Sequence, residues 1–336
     1  MKIAISNFSR PLPIEMDFSS YWAEHVMPHG EKRLSLFDYV GWGFHIYAIG
    51  VYLLESGLAD EVEFWDFRQR RSVSYHPLGV RRIHSFNERD IMAYLDRYGY
   101  PDLYINYGRY GLPMLDHLKR MSFRVHVPCW SPAQVRRDNL SADCYLVDSE
   151  EDLDSRSMLY VPVINTKKIF PINCEKKRDF IYLASFRPSK RHDILLGAVR
   201  GTGLTGRLHP VDSTQFDLTD TNITTTNWDE ADVVDLLQTS RIAVYSADSD
   251  SNPAAMWECV AAGLPIVVNE NIKGGKHLVV PGVTGEFASE DNFHDVMTHV
   301  LAHLDSYTPR EYFMQEWDTV PMLERYLSFF RDKGWR

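Results

Sequence analysis

The chain has 336 residues, enough for about two domains, and its 44% hydrophobic and 24% charged content is that of a globular protein. That balance excludes a disordered chain, a collagen-like repeat and a charge-rich coiled coil. The formal net charge of −10 argues against nucleic acid as a partner held by bulk charge. The charge is uneven, with 20 Lys+Arg against 22 Asp+Glu in residues 1–170 and 16 against 24 in residues 171–336. Fifteen of the 20 basic residues in the first half are Arg, the side chain best matched to phosphate and carboxylate.

From the N-terminus, Met1 to Ser6 reads as a short strand and not as a signal peptide. No window has the roughly 18 apolar residues of a membrane span, and a cytoplasmic location is expected. Further strands are expected at Ile3–Ser6, Val62–Phe67, Leu103–Tyr107, Arg124–Val127 and Tyr145–Asp148, with helices at about 44–56, 88–98 and 111–121 between them. A linker rich in Pro, Asn and Lys follows at 161–178. A second series then runs strand Phe180–Ala184, helix 190–200, strand 206–211, helix 230–239, strand Ile242–Tyr245, helix 254–262, strand Ile266–Asn269 and helix 292–304. Alternation of this kind predicts α/β architecture with two doubly wound, Rossmann-like domains, 1–170 and 171–309. The aromatic, amphipathic tail at 310–336 is expected to pack back on the N-terminal domain. Cys129, Cys144, Cys174 and Cys259 are too far apart for a C-x-x-C site and read as buried free thiols.

The most informative stretch is 241–269. A strand gives way near Ser246 to polar residues from Asp248 to Asn252. Pro253 then reads as the first helical position, Asn252 as its N-cap and Gly263 as the C-terminal stop. A helix N-terminus just past a strand end presents free N–H groups to an anion. Glu258 follows Asp250 by eight residues, and its neighbours Met256, Trp257, Cys259, Val260 and Ala261 are apolar. An acid in that company points to function. A second stretch, Leu183 to Asp193, suggests Ser189 as the cap of a helix opening at Lys190. Cations at that end of a helix are unfavourable unless an anion sits there.

Residues 250–265 resemble the carboxylate-x7-Glu signature of family-4 glycosyltransferases, with Asp250 and Glu258 on the two acids and Ala261, Gly263 and Pro265 on the trailing positions. Lys273 to Lys276 and Gly282 to Phe287 are similar to that family's following Gly-rich pieces. The resemblance is strongest over 180–305 and implies the GT-B fold, two Rossmann-like domains facing across a cleft. It implies retaining, metal-independent transfer of a sugar from a nucleotide-diphosphate donor, such as a UDP- or GDP-sugar, to an acceptor hydroxyl on a glycan, lipid-linked or small molecule. No cofactor is implied. By the same resemblance Asp250 binds donor-sugar hydroxyls and Glu258 the ribose. Lys190, Arg187, Ser251, Asn252, Ala254 and Ala255 would hold the diphosphate. The sequence departs from the family at Ser185, which stands where an Arg is usual, at Asp250, which replaces Glu, and at Pro253, which lacks an N–H.

In the first half, Gly41 and Gly43 before a helix, with His45, match the family's acceptor-side loop, and the strand-end His126 is similar to its His near the reacting sugar. Asn106, Tyr107 and Arg109 end the preceding strand and are candidates for the same crevice. Arg68, Arg70, Arg71, Arg81 and Arg82 fit either a solvated face or an anionic surface, which leaves peripheral membrane contact open. Two other readings stand beside transfer: a catalytically silent sugar-nucleotide or glycan-binding subunit, and a nucleotide-sugar isomerase or hydrolase on the same fold. Asp248-Ser249-Asp250 also forms a D-x-D triplet of the kind that holds Mn²⁺ in single-domain transferases. Its position in the second half, leading into a Pro-started helix, favours the metal-free reading.

Overall fold

The computed structural model describes residues 1–6, 42–66, 72–75, 81–84, 88–107, 112–127, 141–147, 152–227, 233–250 and 252–336. The chain divides into two compact units: Met1–Val163 with Leu323–Arg336, and Ile164–Met322.

In the first unit the strands are β1 (Lys2–Ser6), β2 (Glu61–Asp66), β3 (Ser72–Tyr75), β4 (Arg81–His84), β5 (Leu103–Tyr107), β6 (Phe123–Val127), β7 (Cys144–Val147) and β8 (Ser157–Leu159). They form one sheet in the order β3-β4-β2-β1-β5-β6-β7-β8, parallel except for the β3–β4 pair. Apolar runs such as Ile3-Ala4-Ile5 and Leu103-Tyr104-Ile105 are fully buried, as central strands covered on both faces must be. Trp65, Tyr104, Ile91, Leu95, Met114 and Leu115 form the core beneath the helices Glu88–Tyr98 and Leu112–His117. β3, β4 and β8 are additions to the expected set. β3 and β4 are short and largely polar or basic, so no apolar run marks them. Phe67 and Asp148, expected as strand ends, lie outside the described residues. The helix expected at 44–56 runs from Trp42 to Glu55, so Gly43 belongs to its first turn and does not precede it.

The second unit carries β9 (Arg178–Leu183), β10 (Thr205–His209), β11 (Asn222–Thr225), β12 (Ser240–Tyr245), β13 (Ile266–Asn269) and β14 (Gly285–Ala288). All are parallel, in the order β11-β10-β9-β12-β13-β14. β11 and β14 are again unforeseen. The order reverses between β9 and β12, which makes the carboxyl ends of those two strands the switch point where α/β sheets take ligands. In the first unit the same reversal falls between β1 and β5.

Two helix starts differ from the sequence expectation. Pro188–Lys190 is a single 3₁₀ turn, and the α-helix that follows spans His192–Val199 with Arg191 as N-cap and no side-chain cap bond. Ser189 therefore caps nothing, and Lys190 ends a turn instead of opening a helix. The Pro188 ring fixes the extended-to-turn entry, and Arg191 takes up the left-handed conformation (φ 45°, ψ 49°) that separates the two segments. The helix after β12 spans Ala254–Ala261, within the expected 254–262, but Pro253 is its N-cap and not its first helical residue. Its C-terminus matches the expected glycine stop: Gly263 adopts φ 83°, its N–H donates to Val260 O, and Leu264 N–H donates to Cys259 O. This is the double bond of a Schellman motif.

Beyond Phe293–Ala302 the tail folds as helices Pro309–Glu316 and Thr319–Asp332. Phe313 and Trp317 pack edge-on against Trp257 within the second unit. In the first unit, Tyr326 Oη donates to Val161 O at 2.7 Å and accepts from Val161 N–H at 2.6 Å.

Candidate functional site

At the switch point of the second unit, the turn after β9 and the loop after β12 bring Lys190 and Asp250 together. The Lys190 ammonium pairs with Asp250 Oδ2. Tyr245, the last residue of β12, joins both: its hydroxyl donates to Asp250 Oδ2 at 2.6 Å and accepts from Lys190 Nζ at 2.9 Å. The backbone of Lys190 is held from below, because Tyr182 Oη on β9 donates to Lys190 O at 2.6 Å and Ser246 Oγ donates to Arg191 O at 2.8 Å. Asn269 Nδ2 in turn donates to Ser246 O at 2.9 Å. Burial, with the Asp250 carboxylate next in effect, raises the Tyr245 hydroxyl well above its ordinary range, so it stays protonated and remains a donor.

Glu258 lies one turn into the helix Ala254–Ala261 and has no hydrogen-bond or ion-pair partner among the described residues. Burial among apolar neighbours pushes its carboxyl up to about 7. Such an acid suits a pair of hydroxyl donors that would satisfy it. Ahead of it, the amides of Ala254 and Ala255 have no intrahelical acceptor, while Met256 N–H closes on Pro253 O at 2.9 Å. Pro253 at the N-cap lacks an N–H, yet the amides of Ala254 and Ala255 lie after it and have no acceptor among the described residues. Asn252 does not cap the helix: its Oδ1 accepts from Trp257 Nε1 at 2.8 Å. Gly275, in the Gly-rich stretch after β13, closes over this helix start. It has φ 78°, and a Cβ placed on it would lie 3.2 Å from Pro253 Cδ.

Arg187 is exposed, precedes the 3₁₀ turn and has no partner among the described residues. Arg191 is engaged instead with Asp193 (2.9 Å), Glu290 (2.7 Å) and Asp248 (3.6 Å). Each carboxylate of the D-x-D triplet thus has its own cation, Arg191 for Asp248 and Lys190 for Asp250. Among the described residues no group of three or more His, Cys, Asp or Glu is arranged to hold a metal ion. Ser251 lies outside the described residues.

The first unit has a polar cluster of its own at its switch point. Strand register sets Ser6 beside Asn106 and Asn106 beside His126 across β1, β5 and β6. Tyr104 Oη donates to Ser6 Oγ (2.8 Å), Ser6 Oγ donates to Asn106 Oδ1 (2.6 Å), and Asn106 Nδ2 lies 2.9 Å from His126 Nδ1. With Oδ1 accepting, Nδ2 must donate, which leaves the imidazole proton on Nε2. Burial lowers His126 to about 4, against the pull of the Asn106 bond, so the ring is neutral at physiological pH. Of the other candidates in this half, Gly41 and Arg109 lie outside the described residues. Gly43 and His45 fall within the helix Trp42–Glu55, where nothing further is described of their side chains. Ser6, Tyr104 and Tyr245 were not among the sequence candidates. All three are strand residues within or beside apolar runs, and only strand register reveals their neighbours.

The two parallel-stranded units make this a two-domain, Rossmann-like α/β protein of GT-B fold. No protein-family model and no curated protein matches the sequence. Solved structures do match. Sucrose-phosphate synthase from Thermosynechococcus elongatus superposes with a TM-score of 0.71 at 15% identity, covering 98% of each chain. The apo lipopolysaccharide outer core galactosyltransferase WaaB gives 0.67 at 13% identity, covering 99% of this chain and all of the other. HepE from Anabaena, in complex with UDP and glucose, gives 0.65 at 10% identity, covering 98% and 99%. At such identities the likeness is one of fold.

Proposed function

We propose that the protein is a glycosyltransferase that moves a sugar from a nucleoside-diphosphate donor to an acceptor hydroxyl, retaining its configuration and needing no metal. The observation that carries this reading is the Lys190–Tyr245–Asp250 cluster at the β9/β12 switch point, followed in the chain by a helix whose first amides have no intrahelical acceptor and by Glu258, which has no hydrogen-bond or ion-pair partner among the described residues. In the proposed reaction the bond from the sugar's anomeric carbon to the diphosphate breaks, a bond to the acceptor oxygen forms, and the acceptor's proton is released. Charge develops on the departing diphosphate, and preorganised cations and amides lower that barrier. Lys190 supplies the cation, Arg187 a second from the exposed turn, and the helix N-terminus with Ser251, Asn252, Ala254 and Ala255 the amide cradle. Asp250 accepts from donor-sugar hydroxyls and Glu258 from the ribose. The donor belongs to the 171–309 half and the acceptor to the 1–170 half, where neutral His126 offers an Nε2–H donor, with Asn106, Arg109 and the Gly41–His45 stretch around the acceptor. The likeness in fold to sugar-transferring enzymes over nearly the whole chain supports the assignment.

The test is a thermal-shift panel of UDP, GDP, ADP, dTDP and CMP in EDTA and in Mn²⁺, followed by turnover of the matching nucleotide sugars. Stabilisation by one nucleoside diphosphate, undiminished by EDTA, is expected. Glu258→Ala is expected to lose on the order of 10²-fold in turnover through misplacement of the donor. Absence of any nucleotide effect overturns the reading, and near-normal turnover in Glu258→Ala removes Glu258 from it.

A further inference from the structure

We infer that Tyr245 is a positioning residue of the donor site: its hydroxyl couples Lys190 to Asp250, and the donor's sugar is recognised only through that coupling. The inference rests on the donor-site reading of Lys190 and Asp250 and goes beyond it, because Tyr245 touches neither phosphate nor sugar in that reading.

Without a ligand the site is satisfied by its own charges. The ammonium and the carboxylate neutralise each other, and the phenol is placed to hold both, accepting from one at 2.9 Å and donating to the other at 2.6 Å. Tyr245 is itself immobilised. It is buried at the end of β12, its ring meets Tyr182 edge-on with centroids 5.4 Å apart, and the Lys190 ammonium lies 5.3 Å from its ring centroid. Tyr182 in turn bonds the Lys190 carbonyl. Lys190 and Asp250 are therefore located relative to one another by a rigid aromatic pair on adjacent strands, not by the loops that carry them.

An incoming diphosphate competes for the ammonium, and Asp250 then loses its cation. The tyrosine O–H donor stays, so the carboxylate keeps one charge-assisted hydrogen bond and its orientation. Its remaining lone pairs face the sugar hydroxyls. A nucleoside diphosphate without sugar uses Lys190 and the helix amides and has no need of Asp250. The tyrosine should therefore matter to the sugar and little to the nucleotide.

That asymmetry is the test. Isothermal titration of UDP, GDP, UDP-glucose and GDP-mannose into the wild type, Tyr245→Phe, Asp250→Asn and the double variant gives, for each protein, the gain in affinity due to the sugar. Tyr245→Phe keeps the ring and its packing, and circular dichroism and the melting temperature verify the fold. Loss of a hydrogen bond to a charged group predicts that Tyr245→Phe forfeits about tenfold of the sugar-dependent gain and leaves nucleoside-diphosphate affinity within about threefold. Asp250→Asn should forfeit a similar gain, and Tyr245→Phe in the Asp250→Asn background should change nothing more. If Tyr245→Phe keeps the gain, or weakens nucleotide and nucleotide sugar equally, the inference falls while the donor site stands. If the wild type binds none of the four probes and no nucleotide of the thermal-shift panel stabilises it, the donor-site reading falls and the inference with it.

Discussion

Glu258 shows at the scale of one residue how a site is maintained against folding. Burial pushes its carboxyl up to about 7 in the folded protein from an ordinary 4.5, so the folded state binds the proton more tightly than the unfolded state does. The contribution of this one group to stability is thus greatest below about pH 4.5 and declines as pH rises through the interval to 7, by about 3 kcal/mol at most. Glu258→Gln removes the ionisation and should raise the melting temperature at pH 8 while abolishing the decline between pH 5 and 7. The same variant should weaken nucleotide binding, because a neutral amide is the poorer acceptor for ribose hydroxyls. Calorimetry across pH, with a nucleotide titration at each point, measures both. A melting temperature that falls in Glu258→Gln at pH 8 would show that the carboxylate has a partner there. Glu258 stood out as a candidate in the sequence as an acid amid apolar helix residues, Asp250 through the resemblance of 250–265, and Lys190 as a cation at an expected helix start, although the chain places it at the end of a 3₁₀ turn. Tyr245 was not legible, because a tyrosine closing an apolar strand looks like ordinary core, and its role depends on two residues that only the fold places beside it.

At the scale of elements, strands buried on both faces were readable as apolar runs, and β5 and β13 occupy the expected residues. Edge and short strands such as β3, β4 and β11 carry polar or charged side chains, so their strand character comes from pairing and not from hydropathy. Helix starts failed for a similar reason. Pro188-Ser189 and Asn252-Pro253 both look like caps, yet the chain places a 3₁₀ turn at the first and makes Pro253 itself the N-cap at the second. Gly275 lies against the second start from outside the helix, close enough that a Cβ on it would meet Pro253. Gly275→Ala meets two penalties, a left-handed φ of 78° and a Cβ 3.2 Å from Pro253 Cδ. Gly282→Ala meets only the first, since φ is 75° and nothing lies within 4 Å. Both variants should lose about 1 kcal/mol from backbone strain, but only Gly275→Ala should also weaken nucleoside-diphosphate binding, by displacing the amides of Ala254 and Ala255. Equal nucleotide affinity in the two variants would mean that the helix start does not depend on this contact.

On the scale of the whole molecule, the last 14 residues are grouped with the first 163, although the intervening 164–322 form a unit of their own. The attachment is specific. Tyr326 satisfies both backbone groups of Val161, and Phe330 is fully buried against Phe123, with Trp335 edge-on to it. Val161 precedes the boundary between the units, so the C-terminal helix secures the chain where it leaves the first sheet. Truncating a buried Phe leaves a cavity worth about 3–5 kcal/mol, a large fraction of the stability of a single domain. Phe330→Ala should therefore raise opening rates throughout the sheet β1–β8, because a domain of this size shares one core. Its effect should stop near residue 163 if the two units open independently. Hydrogen exchange with peptide resolution reads this directly: faster exchange in residues 1–163 with 164–322 unchanged assigns the C-terminal helix to the integrity of the first unit alone. Equal acceleration in both would show that the chain opens as a single cooperative body, and would extend the helix's influence to the Lys190–Asp250 site.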